Sequence, residues 1–225
     1  MGIHERKERE KERRRQQIMI AAKRVFSSNG FNKSTMEDIA REAELSPGTI
    51  YLYFRNKDEL YASLSLRILQ YLNIRLKHVI NRQGLEPEEY VEALKQAMYD
   101  VYEFDPLIVI NMFQFQSTET VKNLSPELLS EIIELSNNSM GTMADIFEKG
   151  IEKGVFINRH PSALADVLWS MFSGLILWEE SKKLFNENKE YLKTTMEIAF
   201  ELFTRGIRLH DSPAPLNEVA RPTPQ

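Results

Sequence analysis

Apolar positions recur along this chain at intervals of three and four residues, the spacing that buries one face of a helix. Ile18, Ala21, Ala22, Val25 and Phe26 form the first such stripe, and Asn29-Gly30 closes it with a pair suited to a left-handed C-cap. Met36, Ile39, Ala40 and Ala43 form a second, short stripe behind Thr35, which is placed to cap it. Glu44-Leu45-Ser46 makes a turn. Ser46 then caps a third helix with Pro47 at its first position, where a missing N–H has no helical partner anyway. This helix runs through Thr49 to about Tyr53. Small Ala40 lets the second and third helices approach, and Leu45, Ile50 and Phe54 are suited to fill the space between them. The pattern predicts a helix-turn-helix whose second helix exposes Thr49, Tyr51, Leu52 and Tyr53.

The remaining pattern predicts a larger helical body. Asn56 caps a fourth helix, with Asp58 and Glu59 at the positive end of its dipole. Its apolar positions run from Leu60 through Leu64, Ile68, Leu72 and Leu76 to Ile80, a rod on the order of 40 Å. Pro87 opens a helix to about Phe104, and Asp105-Pro106 separates it from a short apolar helix, Leu107 to Phe115. Ser125-Pro126 starts another by the device seen at Ser46, running to about Lys153. Pro161 opens one to about Lys183, and Lys189 to Leu209 is the last. The four Pro and few large apolar groups of residues 211–225 predict a disordered tail. The expected fold is all-α: an N-terminal three-helix head (16–56) behind a charged extension (1–15), on a larger helical-bundle body (57–210).

The stretch SPGTIYLYFRNKDEL, Ser46 to Leu60, closely resembles the signature of the TetR (tetracycline-repressor-like) family of bacterial transcriptional regulators. The resemblance covers Gln17 to about Leu64 at motif level. It implies a DNA-binding head in which Ser46, Pro47, Gly48 and Thr49 enter the major groove. It further implies that Tyr51 and Tyr53 reach phosphates or bases, and that Thr35 and Lys57 meet phosphate at two helix starts. The family usually has Gly in the turn where this chain has Glu44; a left-handed conformation there would cost a non-Gly residue roughly 1 kcal/mol. The second helix of the motif lacks Arg, Lys, Asn and Gln, the best bidentate readers of G and A. Direct readout is therefore expected to be modest, leaning on methyl contacts, phosphate positioning and DNA shape.

Charge agrees with that picture once it is divided. The net charge is −4, yet residues 1–57 hold 13 Lys and Arg against 8 Asp and Glu, and the remainder 16 against 25. A basic head would meet phosphate and an acidic body would stay off it. For the charged run Glu5 to Arg15 two readings stand: a solvated extension of the first helix, or an arm in which Arg13, Arg14 and Arg15 touch phosphate or a flanking minor groove. The chain has no Cys, which excludes disulfides, thiolate metal sites and a Cys nucleophile. His4, His78, His160 and His210 lack metal-ligand spacing, and no Ser/His/Asp arrangement or phosphate-binding glycine loop occurs, so neither an enzyme nor a cofactor is expected. No uninterrupted apolar stretch reaches the roughly 20 residues of a membrane span and the N-terminus is charged, so a cytoplasmic protein is expected.

The resemblance implies a homodimer on a double-stranded, pseudo-palindromic operator, joined through the last two long helices. Leu164, Leu168, Phe172, Leu175, Met196, Phe200 and Phe203 are the expected interface positions. It also implies a small-molecule effector in the body. Tyr102, Met112, Phe113, Met143, Phe147 and Trp169 are the expected lining, and few charges interrupt these segments, which favours an apolar or amphipathic ligand. The same fold without a ligand, as a constitutive DNA-binding or protein-interaction module, is the alternative. A helical enzyme or carrier is the remote one.

Overall fold

A computed structural model describes residues 2–114, 121–183 and 191–209. The expected tail, 211–225, lies outside them. The described residues are helical, with one isolated antiparallel bridge between Phe156 and Arg208. In chain order the helices are α1 (Ile3–Asn29), α2 (Met36–Glu42), α3 (Pro47–Tyr51), α4 (Lys57–Ile80), α5 (Pro87–Phe104), α6 (Pro106–Gln114), α7 (Pro126–Glu152), α8 (Pro161–Lys183) and α9 (Leu192–Ile207). The last begins later than Lys189, which falls outside the described residues; Tyr191 donates its N–H to Glu179 immediately before it. The first begins much earlier than Gln16, because its charged N-terminal half continues the same helix.

Helices α1 to α3 enclose a small core of Ile18, Ala22, Phe26, Ile39, Ala40, Ile50 and Phe54, all nearly or fully buried. Their ends follow from local chemistry. Thr35 Oγ1 accepts the Asp38 N–H at 3.1 Å while Asp38 accepts the Thr35 N–H, a reciprocal capping box. The end of α2 is a Schellman motif: Leu45 N–H bonds Ala40 O at 2.9 Å and Glu44 N–H bonds Arg41 O at 3.1 Å. The motif requires a left-handed residue, and Glu44 takes it with φ 55°, alone among the non-glycine described residues. The end of α7 repeats this pairing, Val155 to Gly150 and Gly154 to Ile151, with Gly154 at φ 69° in the same place.

The head joins the body through α4. Phe26, Phe31 and Tyr61 meet in a three-ring cluster with centroids 5.0 to 5.5 Å apart. Lys57 stands over the outer ring, its Nζ 4.4 Å from the Phe31 centroid, and donates to Phe31 O at 2.7 Å and Ser34 O at 2.8 Å. The ammonium therefore ties the start of α4 to the α1–α2 connection, where two carbonyls would otherwise lack helical partners.

Along the body α4 packs most extensively on α7, and also on α5, α6 and α1. Buried Asn73 on α4 crosses that main seam, donating to Leu135 O at 2.9 Å and to Ser139 Oγ at 2.8 Å on α7. Helices α8 and α9 lie beyond, α8 against α7 and α6 and α9 against α8 and α5. The bridge at Phe156 pins the α7–α8 connection to the end of α9, with Ile157 N–H on Ile207 O and Leu209 N–H on Val155 O, each at 2.7 Å.

Three substitutions test these devices. Glu44→Gly should raise stability by about 0.5–1 kcal/mol, and Gly154→Ala should lower it by about 1 kcal/mol, read as opposite shifts in the denaturant midpoint. Lys57→Met leaves two carbonyls without their charged donor and should lower the unfolding free energy of the DNA-free protein by about 1–2 kcal/mol. An unchanged midpoint would show that the ammonium does not hold the joint.

Candidate nucleic-acid interface

The short helix α3 divides cleanly. Ile50 and Phe54, four residues apart, are fully buried against α1 and α2, which forces the intervening positions outward. Leu52 is 81% exposed and Tyr51 49% exposed, whereas Tyr53 is half-buried and packs on the head core. Ser46, Pro47 and Gly48 are exposed and Thr49 is half-buried. Ser46 Oγ accepts the Thr49 N–H at 3.1 Å and lies 2.8 Å from the Thr49 hydroxyl, so the N-terminal turn is pre-formed. A Cβ built on Gly48 would meet only Ser46 Oγ, at 3.9 Å. The glycine thus keeps the outer backbone bare, where another molecule can approach closely.

The flanking groups are arranged less simply than their residue types implied. Thr35 gives both its hydroxyl and its N–H to Asp38, at 2.7 and 3.1 Å. Those bonds, hydroxyl first, hold the Asp38 carboxyl below its ordinary range, with Arg41 assisting. The contribution of this cap is complete at neutral pH and is lost as pH falls through the lowered value. A phosphate at this end would therefore meet a carboxylate already seated on Thr35. Lys57 has two of its three donors committed to the joint. Arg55, four residues beyond α3, is exposed, and among the described residues only its backbone is engaged, by Glu59.

Arg55 is the residue that the composition of the motif did not single out; Leu52 was expected to be exposed, without a named contact. The signal for Leu52 was present in the spacing: once Ile50 and Phe54 point inward, a leucine between them must face out.

The body carries a second exposed feature. Val167 and Trp178 on α8 are 54% and 61% exposed, and Ile198 and Leu202 on α9 are 53% and 64% exposed. Gly174 on the same run of α8 is also exposed, and nothing within 4 Å covers its Cβ position. The residues expected on this surface lie elsewhere. Leu164, Leu168, Phe172, Met196 and Phe200 are buried inside the protomer, and Leu175 and Phe203 are half-buried. The expectation followed the strongest apolar stripe of each helix, and the strongest stripe is the one the chain's own core takes. By length and composition α8 could cross a membrane. Its apolar character has a simpler basis in two apolar faces, one packed on α6, α7 and α9 and one outward.

Of the expected pocket residues, Met143 and Phe147 are fully buried and Tyr102 nearly so, while Trp169 is half-buried. Phe147 packs on Phe156 and Phe203 with centroids 6.3 and 5.7 Å away, and Trp169 on Phe172 at 5.9 Å. The side chains of Met112 and Phe113 lie outside the described residues. A cleft of about 550 Å³ separates α1 from the α5–α6 corner. The Lys23–Asp105 ion pair, 2.6 Å, crosses it. Among the described residues no three His, Asp or Glu side chains cluster as metal ligands.

Comparison with known proteins places this geometry. Residues 18–64 match the family described as bacterial regulatory proteins, tetR family. An uncharacterized HTH-type transcriptional regulator of Haemophilus influenzae is 32% identical over 109 residues, 48% of this chain and 58% of that protein, so the match spans little more than half of that relative. The fatty acid metabolism regulator protein of Bacillus subtilis is 25% identical over 191 residues, 85% of this chain and 94% of that one. The fold is shared with a crystal structure of the transcriptional regulator FadR from Bacillus subtilis in complex with stearoyl-CoA. The TM-score is 0.67 at 22% identity, covering 85% of this chain and 98% of that one. The head, over residues 18–64, belongs to the tetR family of bacterial regulatory proteins, and the helical body shares the fold of the solved regulators.

Proposed function

We propose that this protein is a homodimeric regulator that binds a pseudo-palindromic DNA operator, acts as a repressor, and is released by an apolar or amphipathic small molecule. The observation that carries the reading is the outer face of α3: bare backbone at Gly48, then Tyr51 and Leu52 exposed beside buried Ile50. An 81%-exposed leucine at the C-cap of a five-residue helix has no role in the protomer's own core. In a major groove it would meet thymine methyl groups, with Thr49 and the tyrosine hydroxyls at base edges or phosphates. Ser46, Pro47, Thr35 and Lys57 would set the head on the backbone, joined by Arg55.

One head covers few base pairs, and a dimer places two about 34–36 Å apart. The outward stripe Val167, Gly174, Trp178, Ile198 and Leu202 supports such a dimer. Four large apolar groups stand open to water on adjacent helices, with a glycine that permits close helix approach. A four-helix bundle between two copies would bury them.

The ligand reading rests on the relative solved with stearoyl-CoA and on the apolar interior around α6. Ile108 and Val109 of α6 are buried, and Asp105 at its start holds Lys23 of the head. An acyl chain wedged among α4 to α8 would shift that corner, and the shift would reach α1 through the ion pair and α4 through packing. Ligand and operator must then weaken each other's binding by the same factor.

Selection from random-sequence duplexes, followed by gel shift, tests the first part: a pseudo-palindrome should emerge, and recovery of no preferred sequence would refute the reading. Trp178→Glu combined with Leu202→Glu should give monomers in sedimentation and lose operator affinity at least tenfold. Asp105→Asn should leave operator binding intact and blunt release by a long-chain acyl-CoA. Full release in that variant would remove the ion pair from the coupling route.

A further inference from the structure

The charged run at the N-terminus acquires an order in the structure that its composition does not reveal. Helix α1 continues without a break from Ile3 to Asn29, yet only its second half packs on the head. Residues 4–13 are exposed throughout. A free helix of that length would be marginal in water, but here the buried half supplies the nucleus and the extension needs only propagation. Glu, Lys, Arg and Gln propagate well. The thirteen residues from Ile3 to Arg15 form a rod of about 20 Å.

On that rod acidic and basic residues interleave, yet one stripe is predominantly cationic. Glu5, Glu8 and Glu12 fall at i, i+3 and i+7 and share one face. The fourth acid, Glu10, is bound by Arg13 at 2.8 Å, which holds its carboxyl below the ordinary range. Lys7 and Lys11, four residues apart, align with Arg14 along another stripe, bordered by Glu10 and Glu8, each three residues from one of the lysines. Arg14 touches Glu10 at 3.9 Å and Gln17 at 3.0 Å, whereas Lys7 and Lys11 have no ion pair among the described residues. Arg15 does not belong to this face in function: its guanidinium donates to Ser63 at 3.1 Å and stands 4.9 Å over the Phe54 ring, holding α1 to the head.

The rod leaves the head beside the helix-turn-helix. Gln17 donates to Ala43 O at 2.8 Å, at the end of α2, and the Arg15–Phe54 contact marks the far end of the α3 segment. Resting on the DNA-binding reading above, we propose that residues 3–15 of α1 are a rigid cationic arm. Its Lys7–Lys11 face binds the phosphates of duplex DNA flanking each half-site. At 3.4 Å rise per base pair, a rod of about 20 Å would extend the footprint by about six base pairs on each side. The contact is to backbone charge and is independent of flanking sequence.

The test compares two duplexes carrying the selected operator, one ending at its edges and one extended by ten base pairs of arbitrary sequence on each side. Full-length protein should bind the extended duplex more tightly and with a steeper dependence of log K on log salt. The Lys7→Gln/Lys11→Gln variant removes four charges per dimer without loss of helix propensity. It should match wild type on the short duplex and lose about 2–4 units of salt slope on the extended one. Lys7→Arg/Lys11→Arg should behave as wild type. Equal slopes for wild type and the glutamine variant on the extended duplex would overturn the arm, as would equal losses on both duplexes. Failure of wild type to bind even the short duplex would instead overturn the regulator reading on which the arm rests.

Discussion

The head of this molecule is fixed to its body chiefly at the start of α4, with the Lys23–Asp105 ion pair as a second link. At the α4 start the Phe26, Phe31 and Tyr61 rings pack edge to face, and the Lys57 ammonium closes the joint by binding two main-chain carbonyls and the outer ring. A charged donor on carbonyls at a half-buried position is worth more than a neutral one, and here it supplements the Ser34 N–H that Phe31 O also accepts at 3.3 Å. The head is thereby carried on α4 as a unit. A tilt of that helix turns α3 with it, and the head has little freedom to lag behind.

The body is built to make such a tilt selective. Asn73 fastens α4 to α7 inside their seam through Leu135 and Ser139, so that side resists sliding. On the opposite side the connection from α1 to the α5–α6 corner is a cleft crossed by Lys23–Asp105, whose lysine is half-exposed. A partly solvated ion pair is a weak link next to a packed seam. The link from α1 to the α5–α6 corner is therefore weaker than the α4–α7 seam, and it lies where the apolar interior adjoins the head.

The helical order, the caps at Thr35, Ser46, Asn56 and Ser125, and the inward residues of the head were legible in the chain. Each rests on contacts within four residues, and such contacts are written directly in sequence spacing. The left-handed turn at Glu44 was signalled only through the family resemblance, which has Gly at that place. The outer surfaces were not. Leu168, Phe172, Met196 and Phe200 lie on the most apolar stripes of α8 and α9, and periodicity marks them without saying which neighbour covers them. The face left open, with Val167, Trp178, Ile198 and Leu202, emerged only when α6, α7 and α5 had taken the other. Likewise Lys57 carries the residue type of a phosphate contact, and only the proximity of Phe31 and Ser34 showed that its charge is already in use.

The stretch from Ser34 to Lys57 was sufficient by itself to determine what kind of head this is, because capping, turn chemistry and a five-residue helix are local. Which of its groups remain available to a duplex was decided by tertiary structure. Ion pairs and carbonyl contacts join residues tens of positions apart, and no spacing rule records them. The charged N-terminus shows the same division. Its residues determined a helix, while the packing of the second half of α1 decided that the first half stands clear of the head, with Lys7, Lys11 and Arg14 along one stripe and Glu5, Glu8 and Glu12 along another.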